Sequence, residues 1–216
     1  MDLEKPFRIE FEISSLCNAL CSNCQRTMMD NKNKYYYKGN ITITQMYDWF
    51  GDVNLKDAKI KLCGVLGDPI INPDCVEICS FLLLEKNVKS IEISTNGGTR
   101  SKNFWLDLAE LSKNSDGRLF VHWSIDGVTK NDYRENVSLE KVWQNFYTFY
   151  NAGGKCIWQY IHFDYNEDEI ELAKNIAKKL DIELKIRVSW RNTGENNKFK
   201  SSEALKIDNN IYDVVE

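Results

Sequence analysis

The chain has 216 residues, enough for one domain with a substantial core and too few for two comfortable ones. A 43% hydrophobic and 28% charged make-up with net charge −4 is that of a globular protein, and the absence of basic blocks argues against broad nucleic-acid binding. No apolar run reaches the length of a membrane span, and the N-terminus lacks the form of a signal peptide. The seven cysteines, an odd number with three clustered, point to a reducing, cytoplasmic setting rather than a disulfide framework.

The first predicted strand, 7–14, sets Ile9, Phe11 and Ile13 against Arg8, Glu10, Glu12 and Ser14. A loop with Cys17, Cys21 and Cys24 follows. Residues 25–41, including Lys34-Tyr35-Tyr36-Tyr37-Lys38, have no period and read as a long loop, either a binding loop beside the cysteines or plain surface. A helix over 42–52 opens on Thr42 and Gln45, a capping box. The second strand, 59–64, sets Ile60 and Leu62 against Lys59, Lys61 and Cys63. The next helix, 74–86, follows Asn72-Pro73-Asp74, whose proline suits a first turn.

The third strand, 89–96, sets Ile91 and Ile93 against Glu92, Ser94 and Asn96, before a helix over 102–113. The fourth, 119–126, sets Val121, Trp123 and Ile125 against His122, Ser124 and Asp126. Helix 138–152 carries Val142, Trp143, Phe146, Phe149 and Tyr150 as a core-facing stripe. A strand over 156–163, a helix over 167–180 capped by Asn166 with Glu169, and a strand over 183–191 complete the alternation. In that last strand Leu184, Ile186, Val188 and Trp190 alternate with Lys185, Arg187, Ser189 and Arg191.

Strand–helix alternation implies a parallel sheet with right-handed crossovers. Parallel strands covered on both faces read as continuous apolar runs, whereas these alternate with period two. One face packs on helices and the other meets something polar. An open, partial six-stranded (β/α) barrel with a polar lumen satisfies this; a flat sheet with one solvated face is the alternative. The expected layout is a single domain over 1–216, with the barrel over about 7–192 and a short tail over 193–216.

Three thiolates from one short loop are one too few for a tetrahedral or cubane site. The Cys-x3-Cys-x2-Cys array resembles the signature of the radical S-adenosylmethionine (SAM) superfamily. There, SAM chelates the iron that the protein leaves open. The resemblance covers roughly 7–192 and implies a [4Fe-4S] cluster on Cys17, Cys21 and Cys24. It implies an enzyme that cleaves SAM reductively to methionine and a 5′-deoxyadenosyl radical for hydrogen abstraction, fed by a low-potential flavodoxin or ferredoxin. A zinc site with Cys63 as fourth ligand is the competing reading of the cysteines.

Further motifs carry the resemblance. Leu66-Gly67-Asp68-Pro69 is similar to the family's Gly-Gly-Glu-Pro turn, which implies that its backbone and Asp68 meet the SAM ammonium. Ser94-Thr95-Asn96-Gly97 and Ser124-Ile125-Asp126-Gly127 close strands three and four, and imply ribose contacts from Ser94, Asn96, Ser124 and Asp126. Asp132-Tyr133-Arg134 is similar to an arginine step in the peptide-maturase (SPASM) branch, and implies that Arg134 clamps the SAM carboxylate. Asn23 stands where the family often has an aromatic, so adenine is expected against Ile161 or Phe163, or held by backbone contacts.

The tail has no cysteine for the auxiliary clusters of that branch. Cys63, Cys75, Cys79 and Cys156 read as buried apolar thiols, with a second metal site on Cys75 and Cys79 as the alternative. His122 faces the lumen and is a candidate proton donor or substrate contact, while His162 reads as structural. A peptide or protein is the expected substrate, because an open barrel suits a ligand that closes the mouth itself. Nucleotide-like or sugar substrates are the rival, with Arg8, Lys59, Lys61, Lys185 and Arg187 as anion partners, unless Glu10, Glu12 and Glu92 neutralise these charges. A non-catalytic cluster- and SAM-binding regulatory module is the alternative from another class.

Overall fold

The computed structural model describes residues 7–63, 66–188 and 199. Six strands lie side by side in chain order, each pair of neighbours parallel: β1 (Arg8–Phe11), β2 (Lys59–Leu62), β3 (Ser90–Thr95), β4 (Leu119–Ser124), β5 (Lys155–Ile161) and β6 (Glu183–Arg187). Among the described residues β1 and β6 share no ladder, so the barrel is open. The predicted sixth strand beyond 188 and the tail, apart from Phe199, lie outside the described residues.

Helices follow the strands: α1 (Gln25–Asn31), α2 (Ile43–Phe50), α3 (Cys75–Ser80), α4 (Lys102–Asn114), α5 (Leu139–Asn151) and α6 (Ile170–Leu180), with α3 widening into a π-helical turn over Phe81–Glu85. Among the described residues no helix is long and apolar enough to cross a membrane. The capping box at Thr42 is present, with both hydrogen bonds made. Two cap assignments are corrected. Asp74 is the N-cap of α3, which leaves Pro73 ahead of the helix. Asn166 does not cap α6; it lies inside a 3-10 turn, Asp164–Glu169.

The alternation read from the sequence sorts the faces. Ile60, Leu62, Ile91, Ile93, Val121, Trp123, Trp158 and Tyr160 are at most 2% exposed, each contributing about 1.5–3 kcal/mol by leaving water. Trp105 of α4 meets Trp123 at 4.7 Å, and Trp143 of α5 meets Trp158 edge-on at 5.2 Å. From the helical stripe Val142, Phe146 and Phe149 are buried, while Trp143 and Tyr150 are half-buried. Cys75 and Cys79 sit fully buried in this core, where packing alone accounts for them.

The other face is charged and internally paired. Arg8 lies 2.8 Å from Glu10 and 3.8 Å from Glu92, while Lys61 lies 3.6 Å from Glu10 and 3.8 Å from Glu92. The lumen charges thus partly neutralise one another.

The stretch 25–41 is half helix, not all loop. Arg26 explains it: its buried guanidinium donates to the Ala19 carbonyl and pairs with Asp30 at 3.3 Å, tying α1 to the cysteine loop. The rest crosses back to β1, with Ser15 N donating to Gly39 O at 3.0 Å and a bridge between Ser14 and Asn40. It leaves Tyr35 and Tyr37 exposed.

Candidate active site

The carboxyl ends of the strands converge on one cavity of about 190 Å³, where ligands of barrel folds collect. Its walls include Cys17, Cys21 and Cys24, Leu66 and Gly67 after β2, Ser94 and Asn96 at β3, Ser124 of β4, and Arg134. These are most of the residues singled out in the sequence, drawn from five separate segments.

Cys24 caps α1, and Cys24 N donates to Cys21 O at 3.1 Å, so the loop is a wound turn. Cys17 Sγ accepts from Ala19 N at 3.4 Å and from Asn96 Nδ2 at 3.6 Å. Burial pushes the Cys17 thiol up to about 12 and raises that of Cys21. Thiols in so dry a place ionise against a bound cation rather than against water. Among the described residues no three His, Cys, Asp or Glu side chains converge on a single-ion position. Three thiols around one cavity instead suit a cluster, in which each sulfur takes its own iron.

Glu12 accepts from Leu66 N at 2.6 Å and Gly67 N at 3.2 Å, which anchors the turn after β2 to the end of β1. Gly67 is required here: a Cβ would stand 1.7 Å from the Ser14 carbonyl oxygen. Gly97, at φ +69°, lies under the ring of Trp123, 2.6 Å from where its Cβ would be.

Asp68 accepts from three donors. Oδ1 accepts from Ile70 N at 3.2 Å, and Oδ2 from Thr95 Oγ1 at 3.0 Å and Asn96 N at 2.8 Å. These three bonds tie the β2 turn to the end of β3, while Asp68 also lines the cavity. Burial raises its pKa, against these three hydrogen bonds.

Asp126 lies behind the cavity. It is fully buried and absent from the cavity wall; Oδ1 accepts from Ile161 N at 3.0 Å and Oδ2 lies 2.7 Å from Arg134 Nε. Burial works against the Arg134 charge, but the Asp126 carboxylate outweighs it and raises the pKa. Arg134 therefore reaches the cavity charged and already oriented.

Ile161 packs with Ala19, Cys21 and Tyr133 rather than lining the cavity. Phe163 is fully buried, stacked on Tyr165 at 5.3 Å and 4.7 Å from Tyr133. It backs the cysteine loop and offers no free ring face. His122 sits deeper in the lumen, outside the cavity wall, with Nδ1 3.3 Å from Glu92. Burial, then Lys185, Arg187 and Lys61, lower its pKa to about 4. It is neutral at pH 7, which removes the imidazolium as an acid.

Sequence reasoning missed three features. Cys63 lines the cavity and is half-buried, not a core thiol; its place after lumen-facing Lys61 was the available signal. Arg26 and Asn166 hold the site from behind. Asn166 Nδ2 donates to Asp126 O and, at 3.0 Å, to Ile161 O, while its Oδ1 accepts from Phe163 N at 2.8 Å. No local pattern marks either role.

No protein-family model and no curated protein matches the chain. Solved structures do. SuiB from Streptococcus suis bound to S-adenosylmethionine is 15% identical with TM-score 0.65, over 92% of this chain and 44% of that one. Native anSMEcpe with bound AdoMet is 16% identical with TM-score 0.68, over 90% and 56%. A radical SAM methyltransferase from Sphaerobacter thermophilus is 16% identical with TM-score 0.60, over 100% and 67%. SuiB is also solved with its precursor peptide SuiA, and anSMEcpe with the Cp18Cys peptide. The fold is that of these proteins, an open six-stranded β/α barrel, and the chain spans about half the length of the first two.

Proposed function

We propose that the chain is a radical SAM enzyme acting on a peptide or protein. The observation that carries this is the meeting of Cys17, Cys21 and Cys24 with Gly67, Ser94, Asn96, Ser124 and Arg134 around one cavity at the carboxyl ends of the strands. A [4Fe-4S] cluster on the three cysteines, with SAM beside it, would supply one-electron cleavage of SAM to methionine and a 5′-deoxyadenosyl radical that abstracts a hydrogen atom.

The residues divide the rest of the work. Asn96, held by Asp68, donates toward Cys17 Sγ and so eases negative charge on that sulfur. The carbonyls of the Leu66–Gly67 turn accept from the amino-acid ammonium, and Arg134, held by Asp126, takes its carboxylate. Ser94 and Ser124 offer hydroxyls to the ribose. Tyr133, Phe163 and Tyr165 keep water from the rear of the cysteine loop. A low-potential flavodoxin or ferredoxin delivers the electron.

The peptides bound by SuiB and anSMEcpe favour the peptide reading over a nucleotide or sugar. Anaerobic loading with iron and sulfide, then dithionite and SAM, tests the proposal. The expected product is 5′-deoxyadenosine, lost in Cys21→Ala. A cubane that binds SAM but never cleaves it, even with candidate peptides, favours a regulatory module; zinc in place of iron overturns the radical reading.

A further inference from the structure

The lumen charges do not all cancel. Glu10 and Glu92 are shared among Arg8, Lys61 and His122. On β6, Lys185 has among the described residues only Glu183, 3.5 Å away and itself half in solvent. Among the described residues Arg187 makes no ion pair, and its Nε is buried without a hydrogen-bond partner. A partly buried guanidinium without a counter-charge is costly, which a ligand anion would relieve.

The ladder places these cations beside the active site. Lys185 lies opposite Gln159 of β5, and Gln159 opposite Ser124 of β4, a cavity residue; Arg187 lies opposite Ile161 one row further toward the mouth. His122, whose side chain is 6% exposed, completes the wall. Glu92 beside Nδ1 favours the proton there, which leaves Nε2 a bare acceptor, buried and without a partner among the described residues. Burial first, then Lys185, Arg187 and Lys61, keep the ring neutral, and Glu183 opposes them.

We propose that this β4–β6 wall is a substrate subsite for an oxyanion, carboxylate or phosphate, gripped by Lys185 and the Arg187 fork, with the His122 ring behind it sensing the ligand's charge. Its use as a substrate site rests on the function proposed above; its anion binding does not. The peptide reading then becomes an acidic peptide, presenting Asp, Glu or its C-terminus to this wall.

The test uses the full chain with ring-labelled histidine, followed by NMR at constant ionic strength. The probes are inorganic phosphate and N-acetyl-aspartate amide, with sodium chloride as control. Saturable movement of the His122 signal is expected, with its pKa climbing by about one unit as the anion offsets the cations. Lys185→Gln with Arg187→Gln should weaken binding about tenfold or more. Arg187→Lys should retain part of it, and an unmoved His162 signal reports intact folding. Saturation by phosphate alone assigns a phosphate-bearing ligand, and by the aspartate derivative alone an acidic peptide. Movement that sodium chloride reproduces, or that persists in the double variant, overturns the subsite. Anion binding without 5′-deoxyadenosine formation would sink the radical reading and leave the subsite standing.

Discussion

Arg134 and Asp126 meet at 2.7 Å where water scarcely reaches, the acid fully buried and the arginine side chain 12% exposed. Each is what makes the other tolerable. Arg134→Met should therefore cost about 3–5 kcal/mol in urea unfolding, because Asp126 is left buried and unpaired. The double change Arg134→Met with Asp126→Asn should cost less than Arg134→Met alone, since the asparagine oxygen still accepts from Ile161 N. A double variant less stable than Arg134→Met would contradict this.

Asp68→Asn removes one of two acceptor oxygens that now serve three donors. At least one buried donor among Ile70 N, Thr95 Oγ1 and Asn96 N loses its partner, at about 1–3 kcal/mol. The loss should appear in thermal unfolding of the chain with nothing bound. If the carboxylate served only a ligand, the variant would melt like the parent.

Gly67→Ala drives a methyl into the Ser14 carbonyl, backbone against backbone. The turn must move, so a loss of about 2–4 kcal/mol is expected, together with impaired SAM binding by calorimetry in the cluster-loaded protein. Full SAM affinity in this variant would remove the turn from the site.

His122 takes up a proton near pH 4 in the fold and near 6.5 when free of it. Between these values the unfolded chain holds more protons, so stability rises with pH there. Its contribution is complete above about 6.5 and is lost on acidification toward 4, at most about 3 kcal/mol. Unfolding free energies from pH 4 to 7 should be flatter in His122→Gln. An unchanged slope would mean that the ring titrates normally.

Period-two strands such as Lys59–Leu62 and Ser90–Thr95 made the barrel readable, because the pleat alone decides which side chains face the helices. The cysteine spacing was local and equally plain. The partners of Asp68 and Asp126 were not legible, because nothing in a turn motif tells whether a carboxylate points at a ligand, at the amide of another strand, or at both. That is decided by partners 28 and 35 residues away. Helix α1 escaped notice because its one inward residue, Arg26, is a cation, and hydrophobic periodicity cannot register it.

Glu12 holds the amides after β2, Asp68 the amide at the end of β3, and Asp126 an amide of β5. The rim of the barrel is thus stitched from strand to strand by acids that bond to backbone amides. Such a rim is built before its guests arrive, so little ordering entropy is spent on capture and binding energy is kept for orientation. Those amides should exchange with deuterium slowly in the empty protein, and little more slowly once it is filled.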